Sequence, residues 1–361
     1  MSLEWLGWNE HFIQRFSSHQ DRGLRPARVV RQDQRYVVRA ADGDYEAEVS
    51  GRFRHEATSR EVFPVIGDWV AIDTPPGAGR AVIHGVVERR SAFIRRAAGE
   101  TTEAQVVAAN VDSVFLVCGL DNDWNHRRLE RYLVLAWESG AEPVIVLNKA
   151  DACDELDERI AEAEAVGPGV PVIAVSAKSG EGLEKLAPWL VPGRTVALLG
   201  SSGVGKSTLV NALLGEERLR TGAVRETDDR GRHTTTHKEL VGLPSGALLV
   251  DTPGMRELQL WGDVSGLGDS FADVAALAQS CKFRDCRHER EPGCAVRAAL
   301  REGTLEGDRF TSYRKLEREL RFLAGQQDQR LRLAERAKWK QITKANRVRE
   351  KLEGGWKGLK R

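Results

Sequence analysis

Three clusters of residues carry most of the chemistry open to this 361-residue chain. In LLGSSGVGKSTLV, Gly200, Gly205, Lys206 and Ser207 fit G-x-x-x-x-G-K-S, directly after an apolar run and before a helix-like stretch. Glycines at these positions let backbone N–H groups curl around phosphate oxygens. A following helix adds its positive end. Gly200, Ser201, Ser202, Gly203, Val204, Gly205, Lys206, Ser207 and Thr208 are therefore the expected phosphate loop. Lys206 is expected to reach the β and γ phosphates and to serve catalysis, and Ser207 to coordinate Mg²⁺. Asp251 opens DTPG, 44 residues beyond Ser207. An Asp at a strand tip can hold Mg²⁺, and Gly254 can offer its N–H to a γ-phosphate.

The second cluster reads a base. Asn148, Lys149 and Asp151 follow an apolar run ending at Leu147. Asp151 can accept hydrogen bonds from N1–H and the 2-amino group of guanine, whereas adenine offers a lone pair and no amino group. A site built on such bonds discriminates by about 10⁴–10⁵-fold. Asn148 can bond the base edge and brace neighbouring loops, and the Lys149 stem can cover the ring. Ser176, Ala177 and Lys178 end the next apolar run, where the Ala177 N–H can meet guanine O6. An ATPase is disfavoured by Asp151.

These two clusters stand in the reverse of the usual guanine-nucleotide order, in which the phosphate loop comes first. Strand neighbours are set by packing, not by order of synthesis, so a domain with adjacent ends can be cut and rejoined. The join falls in LVPGR, where Pro and Gly mark a turn. Residues 217–237 form a long polar loop of the kind ordered by γ-phosphate and Mg²⁺. Either Thr234 or Thr235 is its expected Mg²⁺ ligand. Met255 follows DTPG, where many GTPases carry a water-orienting Gln, and Met cannot polarise water. Intrinsic turnover is therefore expected to be slow. His233 is the nearest group able to orient water, with an ordinary loop residue as the alternative.

The third cluster is Cys281, Cys286, His288 and Cys294, spaced C-x₄-C-x-H-x₅-C. Three thiolates and an imidazole suit one closed, structural Zn²⁺ site. A metal there would fix a loop too charged to fold by burial. Five cysteines in all, an odd and low count, argue against a disulfide framework.

The surrounding elements read as a multi-domain α/β protein. Residues 1–24 form an arm with Trp5, Leu6, Trp8, Phe12, Ile13 and Phe16, either a docking helix or loose. Within 25–98, five runs rich in Val, Ile, Tyr and Phe are separated by turn signals and suggest a small barrel, with the OB-fold as first choice. Thirteen Lys/Arg against ten acids there do not decide for RNA. Over 105–262, apolar runs at 111–120, 143–148, 171–176 and 195–200 alternate with helices at 126–138, 153–165, 181–190 and 206–214. Strands near 238–243 and 246–251 complete a parallel sheet. Residues 265–361 turn helical, with helices at 311–323 and 328–352, and their last 32 residues hold 12 Lys/Arg against 3 acids. Such a tail suits phosphate contacts or a solvated helix. The net charge of +1 gives no global field toward nucleic acid. No apolar run approaches a membrane span and no secretory signal is evident, so a cytoplasmic protein working without a membrane is expected.

NKAD, SAK, GSSGVGKST, GRHTTT, DTPG and the cysteine–histidine knuckle, in that order after a β-rich segment, resemble the RsgA (YjeQ) family of circularly permuted GTPases over about residues 28–325. The resemblance implies an OB-fold barrel, a permuted P-loop GTPase domain and a zinc-binding C-terminal domain. It also implies a protein that binds GTP and GDP, acts on the small ribosomal subunit and its rRNA late in assembly, and hydrolyses GTP under stimulation by that subunit; a monomer is expected. The alternative is a regulatory GTP-binding protein acting through protein partners.

Overall fold

A computed structural model describes residues 3–74, 80–96, 104–121, 124–216, 238–251 and 265–322. They divide into two compact units, parted near residue 280.

The first unit begins with a short 3-10 turn, Glu4–Leu6, and helix α1, Glu10–Gln20. Asn9 starts α1 by accepting the His11 N–H at 3.1 Å. Phe12 and Phe16, one turn apart, bury the same face. Trp8 and Phe12 meet Trp69 with ring centroids 4.6 and 5.9 Å away. The arm is thus a docking helix, with Trp5 and Ile13 left outside.

Five strands follow: β1 Arg25–Gln32, β2 Tyr36–Ala40, β3 Gly43–Val49, β4 Trp69–Asp73 and β5 Ala81–Val86. They run in the order β1-β2-β3-β5-β4, and β4 pairs back onto β1 to close a barrel. Only β3 and β5 are parallel. Helix α2, Gly51–Glu56, lies between β3 and β4 in sequence, capped by Ser50. Ala27, Val29, Val38, Ala47, Ile72 and Ile83 are among the residues filling the interior. Small residues beside branched ones fit so narrow a lumen. The last of the five apolar-rich runs, AVIHGVVERRSAFI at 81–94, divides: its end becomes β6, Ala92–Arg96, in a ribbon with β7, Ala104–Ala109. The break is held by Val87 N–H donating to Trp69 O at 2.8 Å and Ser91 Oγ to Val111 O at 2.6 Å.

The sheet beyond contains β8 Ser113–Gly119, β9 Glu142–Asn148, β10 Val172–Val175, β11 Thr195–Leu199, β12 Lys238–Gly242 and β13 Leu248–Asp251. Its order is β10-β9-β8-β11-β13-β12, and β12 departs from the expected parallel sheet by running antiparallel to β13, to which it is joined by the short connection 243–247. Helices α3 His126–Ser139, α4 Leu156–Val166 and α5 Lys206–Leu214 connect the strands. The segment Leu183–Trp189 is a 3-10 helix containing Pro188, since proline removes a donor from an α-helix. α6 Ser265–Ser270 packs on α3, and with α7 Ala272–Gln279 it belongs to the first unit. Residues 265–279 therefore side with the sheet, through buried Leu267, Phe271 and Val274, and not with the C-terminal part that their helicity suggested.

β1 joins barrel to sheet, pairing Arg31 with Glu239 and Gln32 with Lys238 on β12. Beside that seam lies Arg28, 2% exposed. Its guanidinium donates to Leu6 O in the arm, Gly67 O in the barrel at 3.2 Å, Asn110 O at 3.2 Å and Thr195 Oγ1 of β11 at 2.8 Å. Desolvation pushes its pKa down to about 9, so the cation is retained at neutral pH. Replacing Arg28 with Ala leaves buried acceptors without a donor, and the expected loss is about 3 kcal/mol. Arg28→Lys should rescue little, because an ammonium cannot span four acceptors. Urea midpoints for the two variants check both statements.

The second unit carries the cysteine cluster, α8 Ala295–Glu302 and a helix, α9, over 307–322. Among the described residues, no helix is long and apolar enough to cross a membrane. The expected helix at 328–352 and the basic tail fall outside the described residues.

Candidate nucleotide site and metal centre

The loops that end β9, β10 and β11 meet at one edge of the sheet, and Asn148 laces them together. Asn148 is 2% exposed. Its Nδ2 donates to Val204 O in the phosphate loop at 2.8 Å, and its Oδ1 accepts the Ala177 N–H at 3.0 Å. The bracing read from the sequence is therefore what both ends of this amide do. The Ala177 N–H is already bonded to Asn148, so guanine O6 would be a second acceptor on the same hydrogen. Ser176 is buried, and its Oγ takes the Ser179 N–H at 3.1 Å, fixing the turn that presents Ala177 and Lys178.

Lys149 has a left-handed backbone, φ 67°, and starts a short turn, Ala150–Ala152, that carries Asp151 on the surface. Its ammonium pairs with Asp121, in the loop after β8. Sequence reasoning missed this partner; the acid-rich GLDND following an apolar run was the available signal.

The phosphate loop turns between β11 and α5. A Cβ on Gly200 would collide with the Val117 carbonyl, and one on Gly205 with Asn148 Nδ2, where φ is also +93°. Both positions need glycine for close backbone approach. Lys206 Nζ donates to the carbonyls of Gly200, at 2.7 Å, and Ser201. Ser202 and Gly203 are exposed, Val204 is buried, and Ser207 and Thr208 lie half-buried in the first turn of α5. A Gly205→Ala substitution should weaken nucleotide binding at least 10-fold. It adds a left-handed penalty of about 1–2 kcal/mol and displaces the Asn148 amide. Titration with a fluorescent guanine nucleotide checks this.

Asp251 ends β13, beside β11 in the sheet. His233, Thr234, Thr235, Gly254 and Met255 lie outside the described residues.

In the second unit, the ligand atoms of Cys281, Cys286, His288 and Cys294 all fall within 4.8 Å of one another. Cys281 Sγ stands 3.6 Å from His288 Nδ1 and 3.9 Å from Cys294 Sγ, and His288 Nδ1 stands 3.4 Å from Cys294 Sγ. A tetrahedral ion with ordinary Zn–S and Zn–N bonds demands edges of ~3.8 Å between sulfurs and ~3.5 Å between sulfur and nitrogen. The donor set fits such an ion. His288 would reach it from a left-handed backbone, φ 60°. Cys294 also caps α8, its Sγ accepting the Arg297 N–H at 3.4 Å.

A central strand delivering a phosphate loop, a base-reading loop two strands away, and a chain order that makes the second before the first define a circularly permuted GTPase, an enzyme that hydrolyses GTP. The sequence profile of the RsgA GTPase family matches residues 86–261. A protein of Opitutus terrae named small ribosomal subunit biogenesis GTPase RsgA is 50% identical over 99% of this chain and 100% of its own length. One of the same name from Syntrophotalea carbinolica is 44% identical over 95% and 96%. The crystal structure of YjeQ from Thermotoga maritima superposes with a TM-score of 0.63 at 30% identity, covering 82% of this chain and 98% of the other. The chain belongs to the RsgA family. The ABC transporter profile also matches residues 183–341. That span contains the phosphate loop common to both classes and excludes Asn148–Asp151.

Proposed function

We propose that this GTPase binds the small ribosomal subunit, assists its late assembly, and hydrolyses GTP to GDP and phosphate faster when bound there. The observation that carries the reading is end-to-end likeness to proteins named small ribosomal subunit biogenesis GTPases. The barrel, the permuted GTPase domain and the zinc-binding helical domain, with its basic tail, would supply the contacts with rRNA.

In this reading Asn148, Lys149, Asp151 and the Ser176–Lys178 turn hold guanine, and the backbone of 200–208 holds the phosphates. Ser207, Asp251 and either Thr234 or Thr235 would hold Mg²⁺, which neutralises charge on the phosphates when bound. Lys206 reaches the β and γ oxygens, and the Gly254 N–H the γ-phosphate. The lacing of three loops through Asn148 supports these roles, because nucleotide grip and base choice then share one rigid frame. Cys281, Cys286, His288 and Cys294 would hold one structural Zn²⁺.

GTP hydrolysis measured alone, with small subunits and with large subunits tests the reading. Acceleration by small subunits only is expected; no acceleration would remove the ribosomal assignment and favour a regulator of protein partners. His233→Ala should lower the stimulated rate at least 10-fold while GTP still binds. An unchanged stimulated rate would leave His233 without a catalytic role.

A further inference from the structure

The metal knuckle presents an aromatic ring to solvent. Phe283, in the loop between Cys281 and Cys286, is 41% exposed. A single exposed aromatic is ordinary, but three features distinguish this one. Its backbone is pinned on both sides: Lys282 N–H donates to Gly293 O at 3.1 Å, and Phe283 O accepts the Cys286 N–H at 3.3 Å. The Lys282 ammonium stands 5.6 Å from the ring centroid. Gly293, which meets Lys282, also lines a recess of about 400 Å³ walled by Arg290, Arg297 and Arg301.

The charges nearby favour a polyanion. Between 282 and 301 the chain has six Lys/Arg and three acids. Glu289 is paired with Arg314 at 2.9 Å. Glu291 lines the recess, but its carboxylate is engaged by the N–H groups of Arg287, Glu289 and Arg290 at 3.1, 2.9 and 3.0 Å. Cationic surface interleaved with a rigid, exposed ring matches a nucleic-acid strand whose bases are unstacked. An acidic peptide would use the cations and leave the ring without a role.

We infer that the knuckle is a reader of single-stranded RNA, in which an unpaired base stacks on Phe283 and the adjoining phosphates enter the arginine-walled recess. This rests on the ribosomal reading above and narrows it to one strand type and one stacking residue. Stacking on an aromatic tolerates any base, so the surface selects strand state over sequence.

The test uses the full-length protein and a fluorescein-labelled single-stranded RNA of mixed sequence, with a duplex of equal length as control. Phe283→Ala should weaken single-strand binding about 5- to 150-fold and leave duplex binding unchanged, while Phe283→Trp retains the affinity. Zinc content equal to wild type shows that the knuckle has formed in each variant. Equal affinity of Phe283→Ala and wild type for the single strand overturns the inference, as does an equal loss on duplex. A Phe283→Ala defect on small subunits with none on the single strand also overturns it and assigns the ring to a ribosomal protein. If small subunits neither bind nor stimulate while the Phe283→Ala loss on the single strand persists, the ribosomal reading fails and the strand reader stands.

Discussion

Asp151→Asn should exchange guanine for xanthine as the preferred base, with GTP affinity falling on the order of 10⁴-fold. The carboxylate accepts from both N1–H and the 2-amino group. An amide in its place turns one acceptor into a donor, which opposes the 2-amino group but suits the 2-oxo group of xanthine. The substitution is nearly isosteric and Asp151 is exposed, so the fold is spared. The turn carrying it is closed by Ala152 N–H donating to Lys149 O at 3.0 Å, a backbone bond that the change leaves alone. Competition between GTP and xanthosine triphosphate for a fluorescent nucleotide, with hydrolysis of each, provides the check. A variant that still prefers GTP would show that Asp151 does not face the base.

Metal removal should have the second large effect. Structural zinc sites of this donor type contribute roughly 10–16 kcal/mol of apparent binding free energy, all of it available to folding. The described part of the second unit offers little else: among its long apolar side chains, Val296, Leu305, Leu316 and Leu320 are buried. A strong chelator, or Cys286→Ser, should release one zinc per chain and open residues 280–322 to protease. Guanine-nucleotide binding by the first unit should persist, since the units are separately compact. Elemental analysis with limited proteolysis reads both results. A metal-free preparation with unchanged protection would reduce the cluster to four neighbouring side chains.

Much of this arrangement was legible because the sheet is buried on both faces, which turns its strands into unbroken apolar runs. β8, β9 and β11 were foreseen within a residue or two, and α5 to the residue. The phosphate loop and the cysteine–histidine cluster were legible for a different reason: their spacing is dictated by small, fixed geometries. What stayed hidden depends on tertiary context. Arg28 reads as an ordinary strand-edge cation, and nothing local says that four separate segments will converge on it. Residues 81–94 contain no proline and no turn dipeptide, so the split between β5 and β6 came only from the bonds of Val87 and Ser91 to distant backbone. Pro188 signalled the departure from α-helical geometry in a segment whose apolar spacing alone suggested a regular helix.

The docking of the arm has a consequence for biosynthesis. A Cβ on Gly7 would stand 2.6 Å from Gly193 O, and one on Gly193 would stand 2.8 Å from Glu4 O, so the arm lies backbone to backbone on the rejoined turn. The Arg28 side chain that holds Leu6 also needs Thr195. Leu6 and Gly7 therefore lack part of their seat until nearly two hundred more residues have left the translating ribosome. During that interval Phe12 can already seat on Trp69 of the barrel, while Leu6 and Gly7 wait, and their locking certifies that the turn at 191–194 has been made.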